Sequence, residues 1–278
     1  MGRRTSKSRL AFEVMDHDLT SPLDDEFDEI ASELWENNAR WWQDGFTRGA
    51  DPEYEEQIIP MLLEQLAGSR SVLDVGTGEG QLSRLALTVA GVERVVGIDP
   101  TWEQILEAKN RAPRIDYLKA EAAYLPFADS SFDTVIACLV FEHIADLTGA
   151  ISEVSRVLQP NGSFLFFLNH PLLQTPNSGW IDDHIIGEQY WRIGRYLEEE
   201  RSIEEVEKDV YIPFIHRPLN TYLNTLSDNS LFLTHMEEPP PPKGFLDKAP
   251  EYYDAASIPR LLFLRLKKFP PGGQTQSS

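Results

Sequence analysis

The stretch Val72-Leu73-Asp74-Val75-Gly76-Thr77-Gly78-Glu79-Gly80 decides how the rest of the chain reads. The β-rich run Ser71–Val75 leads into glycines at every second position, and the helical run Gln81–Val89 follows. Strand, tight glycine turn and helix bring backbone N–H groups and a helix N-terminus to the carboxyl end of a sheet, where open α/β sheets bind ligands. Outward from this loop the alternation continues. Arg94–Ile98 reads as a second strand, Trp102–Asn110 as a helix, Ile115–Leu118 as a short strand and Phe132–Ala137 as a buried strand. A helix capped near Asp146 runs to Leu158 and is stopped by Pro160-Asn161-Gly162. Ser163–Leu168 is an almost continuous apolar strand of the kind buried on both faces. Strands alternating with helices predict a parallel sheet covered on both sides.

The loop also limits its ligand. A dinucleotide loop would read G-x-G-x-x-G, but the glycines stand at 76, 78 and 80 and position 81 is Gln; no G-K-[ST] follows, so a P-loop is excluded as well. Asp74 at the strand end would meet a pyrophosphate as a like charge and suits a ligand with a positive centre. Asp99, about 20 residues beyond the first glycine at the end of the second strand, is placed to accept both hydroxyls of a ribose. A nucleoside, a close backbone approach and a cationic substituent are together the features of S-adenosylmethionine.

With these residues in place the chain resembles the class I S-adenosylmethionine-dependent methyltransferases, of the broad type 11 group that includes menaquinone and ubiquinone C-methyltransferases. Asp74–Gly80 matches the D-x-G-x-G-x-G loop, and Asp99 matches the acidic end of the second strand. Lys119–Phe127 resembles G-D-A-x-x-L-P-F, Ser130–Val135 resembles S-F-D-x-V, Phe141–Ile144 resembles L-E-H-x, and Val157–Ser163 resembles V-L-K-P-G-G. The matches cover roughly residues 70–168 in the family's order and spacing. Departures are Glu121 for Asp, Ala120 for Gly and Asn161 for Gly; Glu121 keeps the charge on a side chain one methylene longer. The resemblance implies a doubly wound, seven-stranded, mostly parallel sheet and S-adenosylmethionine as cofactor. Asp74, Gly76, Thr77, Gly78, Gly80, Asp99 and Pro100 would form its cradle. Glu121 and Ala122 would meet the adenine, and Cys138, ending the fourth strand, would lie beside the methionine moiety and contribute backbone.

Composition narrows the surroundings. The 278 residues carry 45 acidic against 25 basic side chains, a formal charge of −20 and a pI near 4.6. Such a surface repels phosphate backbones and anionic lipid, so nucleic-acid and membrane binding are disfavoured despite Arg3, Arg4, Lys7 and Arg9 near the start. One cysteine excludes a disulfide framework and a multi-cysteine zinc site and fits a reducing cytoplasm. No apolar run approaches a membrane span, and no apolar segment follows the basic head to make a secretory signal. The expectation is a soluble cytoplasmic protein with no resident metal.

Around the methyltransferase domain, 69–269, the chain divides further. Residues 1–23 read as a flexible head and 270–278 as a flexible tail. Residues 24–68 form a helical cap: Asp24 to Phe46 has mostly helical apolar spacing with acids at its start, and a second helix opens at Asp51-Pro52 and runs to Leu66. Residues 171–217, rich in aromatics and with an acidic run Glu198–Glu207, read as a partly stranded lid inserted after the fifth strand. A helix Leu219–Leu226 and strands Leu231–His235 and Arg260–Leu266 return to the sheet, with Pro239–Pro242 as a stiff linker.

Methyl transfer from a sulfonium mainly requires alignment of the acceptor, and a base only where the acceptor is a hydroxyl or an acidic carbon. His143 and His170, after the fourth and fifth strands, are the candidate bases; each could instead cap a helix or sit satisfied in the core. His216 could line the acceptor pocket or cap a helix. Trp35, Trp41, Trp42 and Tyr54 read as packing or as cofactor contacts, and Asp182-Asp183-His184 as a turn. The acceptor is expected to be a small apolar, ring-bearing or sugar-like molecule, with O-methylation favoured and C-methylation the sub-alternative. Two other functions share the fold: an aminopropyl transferase, and a non-catalytic S-adenosylmethionine-binding protein. An NAD-dependent oxidoreductase is disfavoured by Asp74 and Gln81.

Overall fold

The computed structural model describes residues 24–248, 250 and 254–269. The head 1–23 and tail 270–278 lie outside the described residues. Along the chain the helices are α1 (Asp24–Gly45), α2 (Ile59–Gln65), α3 (Gln81–Ala86), α4 (Trp102–Arg111), α5 (Leu147–Val157), α6 (Leu219–Asp228) and α7 (Lys243–Leu246). The strands are β1 (Ser71–Val75), β2 (Arg94–Asp99), β3 (Asp116–Lys119), β4 (Phe132–Cys138), β5 (Leu158–Asn169), β6 (Gly179–Asp183), β7 (Glu188–Arg192), β8 (Glu200–Glu207), β9 (Val210–His216), β10 (Leu231–Glu237) and β11 (Leu261–Lys268).

Seven strands form one sheet in the order β10-β11-β5-β4-β1-β2-β3. β1 to β5 are mutually parallel, and β11 runs antiparallel to both β5 and β10. Apolar residues on both faces of the central strands account for the doubly wound arrangement. Leu73, Val135, Phe164 and Phe166 pack on one side against Ile151 and Val154 of α5 and Leu226 of α6. Val72, Ile136, Leu165 and Phe167 pack on the other against Leu62 of α2, Leu82 of α3 and Ile105 of α4. Each such side chain, fully removed from water, contributes about 1.5–3 kcal/mol. Strand order reverses between β1 and β4, so the loops following these strands open side by side at the carboxyl edge.

Three local features depart from the expected elements. The helix expected from Asp51 to Leu66 begins as foreseen, with Asp51 Oδ1 accepting from the N–H of Glu53 and Tyr54 at 2.8 and 3.1 Å. It then opens into a π-helical turn, Tyr54–Ile58, that buries Tyr54, Gln57 and Ile58 together. The Pro160-Asn161-Gly162 turn is absorbed into β5, which starts at Leu158; the register with β4 jumps from Phe132↔Leu158 to Thr134↔Ser163. The helix expected over 81–89 closes at Ala86.

Residues 171–217 form two hairpins, β6–β7 and β8–β9, outside the main sheet. α1 lies against the second of these through Phe27, Ala31 and Ile215. Asn38 Nδ2 donates to Tyr211 O at 2.9 Å and Trp41 Nε1 to Glu207 Oε2 at 2.6 Å, fixing the contact. α1 also reaches α4: the Glu36 carboxylate accepts the N–H groups of Trp102 and Glu103 at 2.9 and 3.0 Å and caps that helix from outside.

Candidate functional site

The glycine loop is shaped from within. Gly76, Gly78 and Gly80 have φ of 70°, 54° and 80°. At Gly76 a Cβ would collide with Val140, on the loop after β4. At Gly78 a Cβ would meet only Trp42 Nε1, at 3.9 Å, so this glycine opens onto free space beneath the α1 indole. Thr77 N donates to Ile98 O at 2.8 Å, joining the loop to β2. The neighbouring Glu79, only 1% exposed, is clamped by Arg84 and Arg111, each 2.7 Å away. Sequence reasoning passed over this clamp because Arg111 closes α4 and meets Glu79 only through the fold.

Two carboxylates brace the loop. Asp74 Oδ2 accepts from Ser83 Oγ at 2.6 Å and Thr77 Oγ1 at 2.8 Å; burial raises its pKa against these hydroxyls. Asp99 Oδ2 accepts from Gly78 N and Oδ1 from Thr101 N, both at 2.9 Å. Burial pushes the Asp99 carboxyl up to about 6, opposed by those backbone bonds.

A cleft of about 460 Å³ runs from this loop along the carboxyl edge of the sheet. Its walls include Asp74, Gly76, Thr77, Gly78, Asp99, Pro100, Glu121, Ala122, Cys138 and His143, contributed by four successive sheet-end loops. Gly80 stands just behind, opening α3 in the left-handed region where a Cβ would strike Tyr117. Glu121 is exposed at the rim. Its loop is held by Glu153, which accepts from Leu125 N at 2.8 Å, and by Arg156, which donates to Phe127 O at 2.7 Å and Leu125 O at 3.0 Å. Cys138 Sγ lies 3.9 Å from the Tyr54 hydroxyl; burial drives the thiol pKa far up and keeps it neutral. Trp35, Trp42 and Phe46 form the opposing wall, with Trp42 stacked on Phe46 at 4.2 Å. Among the described residues lining the cleft there is no lysine or arginine.

The histidines separate. His143 lines the cleft, its Nδ1 bonded at 2.6 Å to Pro213 O and its ring against Trp35 and Phe214, at centroid distances of 4.8 and 4.7 Å. Burial lowers its pKa to about 4, so the ring is neutral near pH 7. The structure does not bring His170 to the cleft. Its Nε2 meets Glu238 Oε1 at 2.7 Å and its Nδ1 accepts from Leu172 N at 3.1 Å, which occupies both nitrogens; the expectation of a base there is corrected. His216 also stands outside the lining, bonded to Tyr196 O at 2.9 Å. Trp41 faces Glu207 of β8, which gives one residue of the acidic run a partner. Asp183 closes the hairpin turn by accepting from Ile185 N and Ile186 N, and no group of three or more His, Cys, Asp or Glu suited to a metal occurs among the described residues.

A reversed-order parallel sheet, a glycine loop braced by an acid from the next strand, and a cleft across both define an α/β domain for a nucleoside-bearing ligand. Residues 73–166 match the sequence model described as a methyltransferase domain. A probable S-adenosylmethionine-dependent methyltransferase of Mycolicibacterium smegmatis is 37% identical over 122 residues, covering 44% of this chain and 44% of that protein. A demethylmenaquinone methyltransferase of Thermus thermophilus is 32% identical over 118 residues, covering 41% of this chain and 53% of that one. The matched stretch thus spans about half the length of these relatives. A crystal structure of an S-adenosylmethionine-dependent methyltransferase from Mesorhizobium loti superposes with a TM-score of 0.65 at 26% identity, over 78% of this chain and 98% of that one. No described helix is long and apolar enough to cross a membrane.

Proposed function

We propose that this chain binds S-adenosylmethionine in the cleft and methylates a small, uncharged, ring-bearing acceptor at a hydroxyl oxygen, with His143 as general base. The observation that carries the reading is the opening of the glycine loop, Asp99 and a neutral histidine into one cavity.

The residues present fit such a cofactor. Gly78 leaves open the space that a Cβ would take, and a buried acid held by two backbone N–H groups keeps further lone pairs for hydroxyl donors. Asp99 would hold the ribose, Gly76, Thr77 and Gly78 would supply close backbone contact, and Asp74 would brace the loop and favour a positive centre. Glu121 and Ala122, beside Pro100 on the cleft wall, would meet the adenine, and Cys138 would contribute backbone. When bound, S-adenosylmethionine supplies an electrophilic methyl group on a leaving group that departs as a neutral thioether.

The chain's own part is alignment and proton removal. Trp35 and Trp42 offer flat apolar surfaces that favour a ring and exclude water. A phosphorylated or carboxylated acceptor would find no counter-ion among the described lining residues. The His143 ring is neutral and would take the proton of an acceptor hydroxyl as the sulfonium's methyl leaves, with a basicity that its burial lowers. The Thermus relative is named for demethylmenaquinone, a quinone, which keeps C-methylation as the sub-alternative.

The test has two stages. Titration of S-adenosylmethionine, S-adenosylhomocysteine and NAD against the melting temperature should show a rise with the first two only, since a native-state ligand stabilises by mass action. Incubation of the protein with cell extract and radiolabelled methyl donor should then yield a labelled small molecule whose linkage distinguishes O- from C-methylation. A rise with NAD alone would overturn the cofactor assignment, and label confined to macromolecules would overturn the acceptor class.

A further inference from the structure

We infer that Arg217 is a positioning residue for His143, and that the returning strand of the insertion decides which imidazole nitrogen is left free for the cleft. This rests on the reading of His143 as the base. The chain after β4 makes a short turn, Phe141–His143, in which Phe141 O accepts from Ile144 N at 3.4 Å and Ala145 O, just beyond, from Leu147 N at 3.0 Å, so that these carbonyls keep one lone pair each to satisfy and Ile144 O needs a donor of its own. Arg217, the residue following β9, fills that need. Its side chain is 1% exposed; Nη1 donates to Phe141 O at 3.2 Å, and Nη2 donates to Ile144 O and Ala145 O, both at 2.9 Å. These carbonyls bracket His143 on both sides along the chain. Nε lies 3.4 Å from Glu199 Oε1, which gives the buried cation a counter-charge. A planar guanidinium serves three carbonyls at once in a way that a single ammonium does not.

The same strand grips the ring. Pro213, four residues before Arg217, presents its carbonyl to His143 Nδ1 at 2.6 Å, and Phe214 packs on the imidazole at 4.7 Å. A carbonyl oxygen only accepts, so Nδ1 of the neutral ring carries the proton and the lone pair resides on Nε2. Phe27 and Ala31 of α1 lock onto Ile215, between Phe214 and Arg217, so cap, lid and base turn form one seated unit. Unseating β9 would release the turn and the tautomer together, because both restraints lie on one strand and its next residue.

The experiment is nitrogen NMR on the full chain labelled at its six histidines, with His143 assigned from the signal missing in His143→Asn. At pH 7.5 the wild type should show His143 as the Nδ1–H tautomer; an Nε2–H tautomer overturns the inference without any Arg217 variant. In Arg217→Met the Nδ1–H form should give way to a mixture of tautomers, while S-adenosylhomocysteine still binds. In Arg217→Lys the mixture should be intermediate. An unchanged tautomer in a folded Arg217→Met that binds S-adenosylhomocysteine overturns the inference, since a purely structural arginine would lower the melting temperature and leave the ring alone. Failure of the wild type to bind S-adenosylhomocysteine would sink the cofactor reading while leaving the tautomer result to stand or fall separately.

Discussion

Asp99 carries opposing demands. Its carboxylate accepts one N–H at each oxygen, from Gly78 and Thr101, yet burial still holds its pKa near 6 against an ordinary value of 3.8. Between those values the folded chain keeps a proton that the unfolded chain has released, so this group contributes stability that is lost as pH rises through about 6. Hydroxyl donors from a ribose would favour the ionised form. Cofactor affinity should therefore rise by at most about tenfold per pH unit below 6 and level off above it, as read by calorimetry in buffers of different ionisation enthalpy. Asp99→Ala should weaken binding by about 1–3 kcal/mol with secondary structure unchanged by circular dichroism, since charged hydrogen bonds are lost without opening the core. His143 runs the other way: its depressed pKa makes the fold lose stability as pH falls from 6.5 towards 4, where the unfolded chain takes up the proton.

At the scale of elements, the glycine loop holds residues of one type for two different reasons. Gly76→Ala drives a Cβ into Val140 and forces an L-residue to hold a φ of 70°, so it should cost about 1–3 kcal/mol in urea unfolding. At Gly78 a Cβ meets only Trp42 Nε1; in Gly78→Val the chain should still fold, with some backbone strain, and lose detectable binding of S-adenosylhomocysteine in calorimetry. The start of α4 shows what sequence patterns omit. Thr101 stands at the N-cap with no side-chain cap of its own, and Glu36 of α1 does the capping. Glu36→Ala should cost about 0.5–2 kcal/mol, measurable as a lowered urea midpoint, although Glu36 lies on a different helix. The π-helical turn at Tyr54–Ile58 was equally invisible, because helical periodicity does not distinguish a widened turn from a regular one.

Across the whole molecule, α1 packs on β9 of the insertion and places two of the six tryptophans, Trp35 and Trp42, in the cleft wall. Ligand binding should therefore change tryptophan emission, and Trp42→Phe should remove most of that change; equal amplitude in the variant would place the ligand elsewhere. The sheet, its parallel sense and the glycine loop were legible in residues 71–168, because strand length, glycine spacing and terminal acids are local and act through the backbone. The positions of Asp74 and Asp99 were legible for the same reason, since they stand at or next to the ends of strands whose direction the pattern reveals. The choice between His143 and His170 could not be read there. Both follow sheet strands, and the difference lies in partners far along the chain: Pro213 and Phe214 for one, Glu238 for the other. Periodicity and short-range chemistry therefore determined the scaffold and the acid-flanked glycine loop, whereas long-range packing alone decided which imidazole lines the cleft and which of its nitrogens meets the Pro213 carbonyl, because a side chain's hydrogen-bond partners are the atoms folded around it.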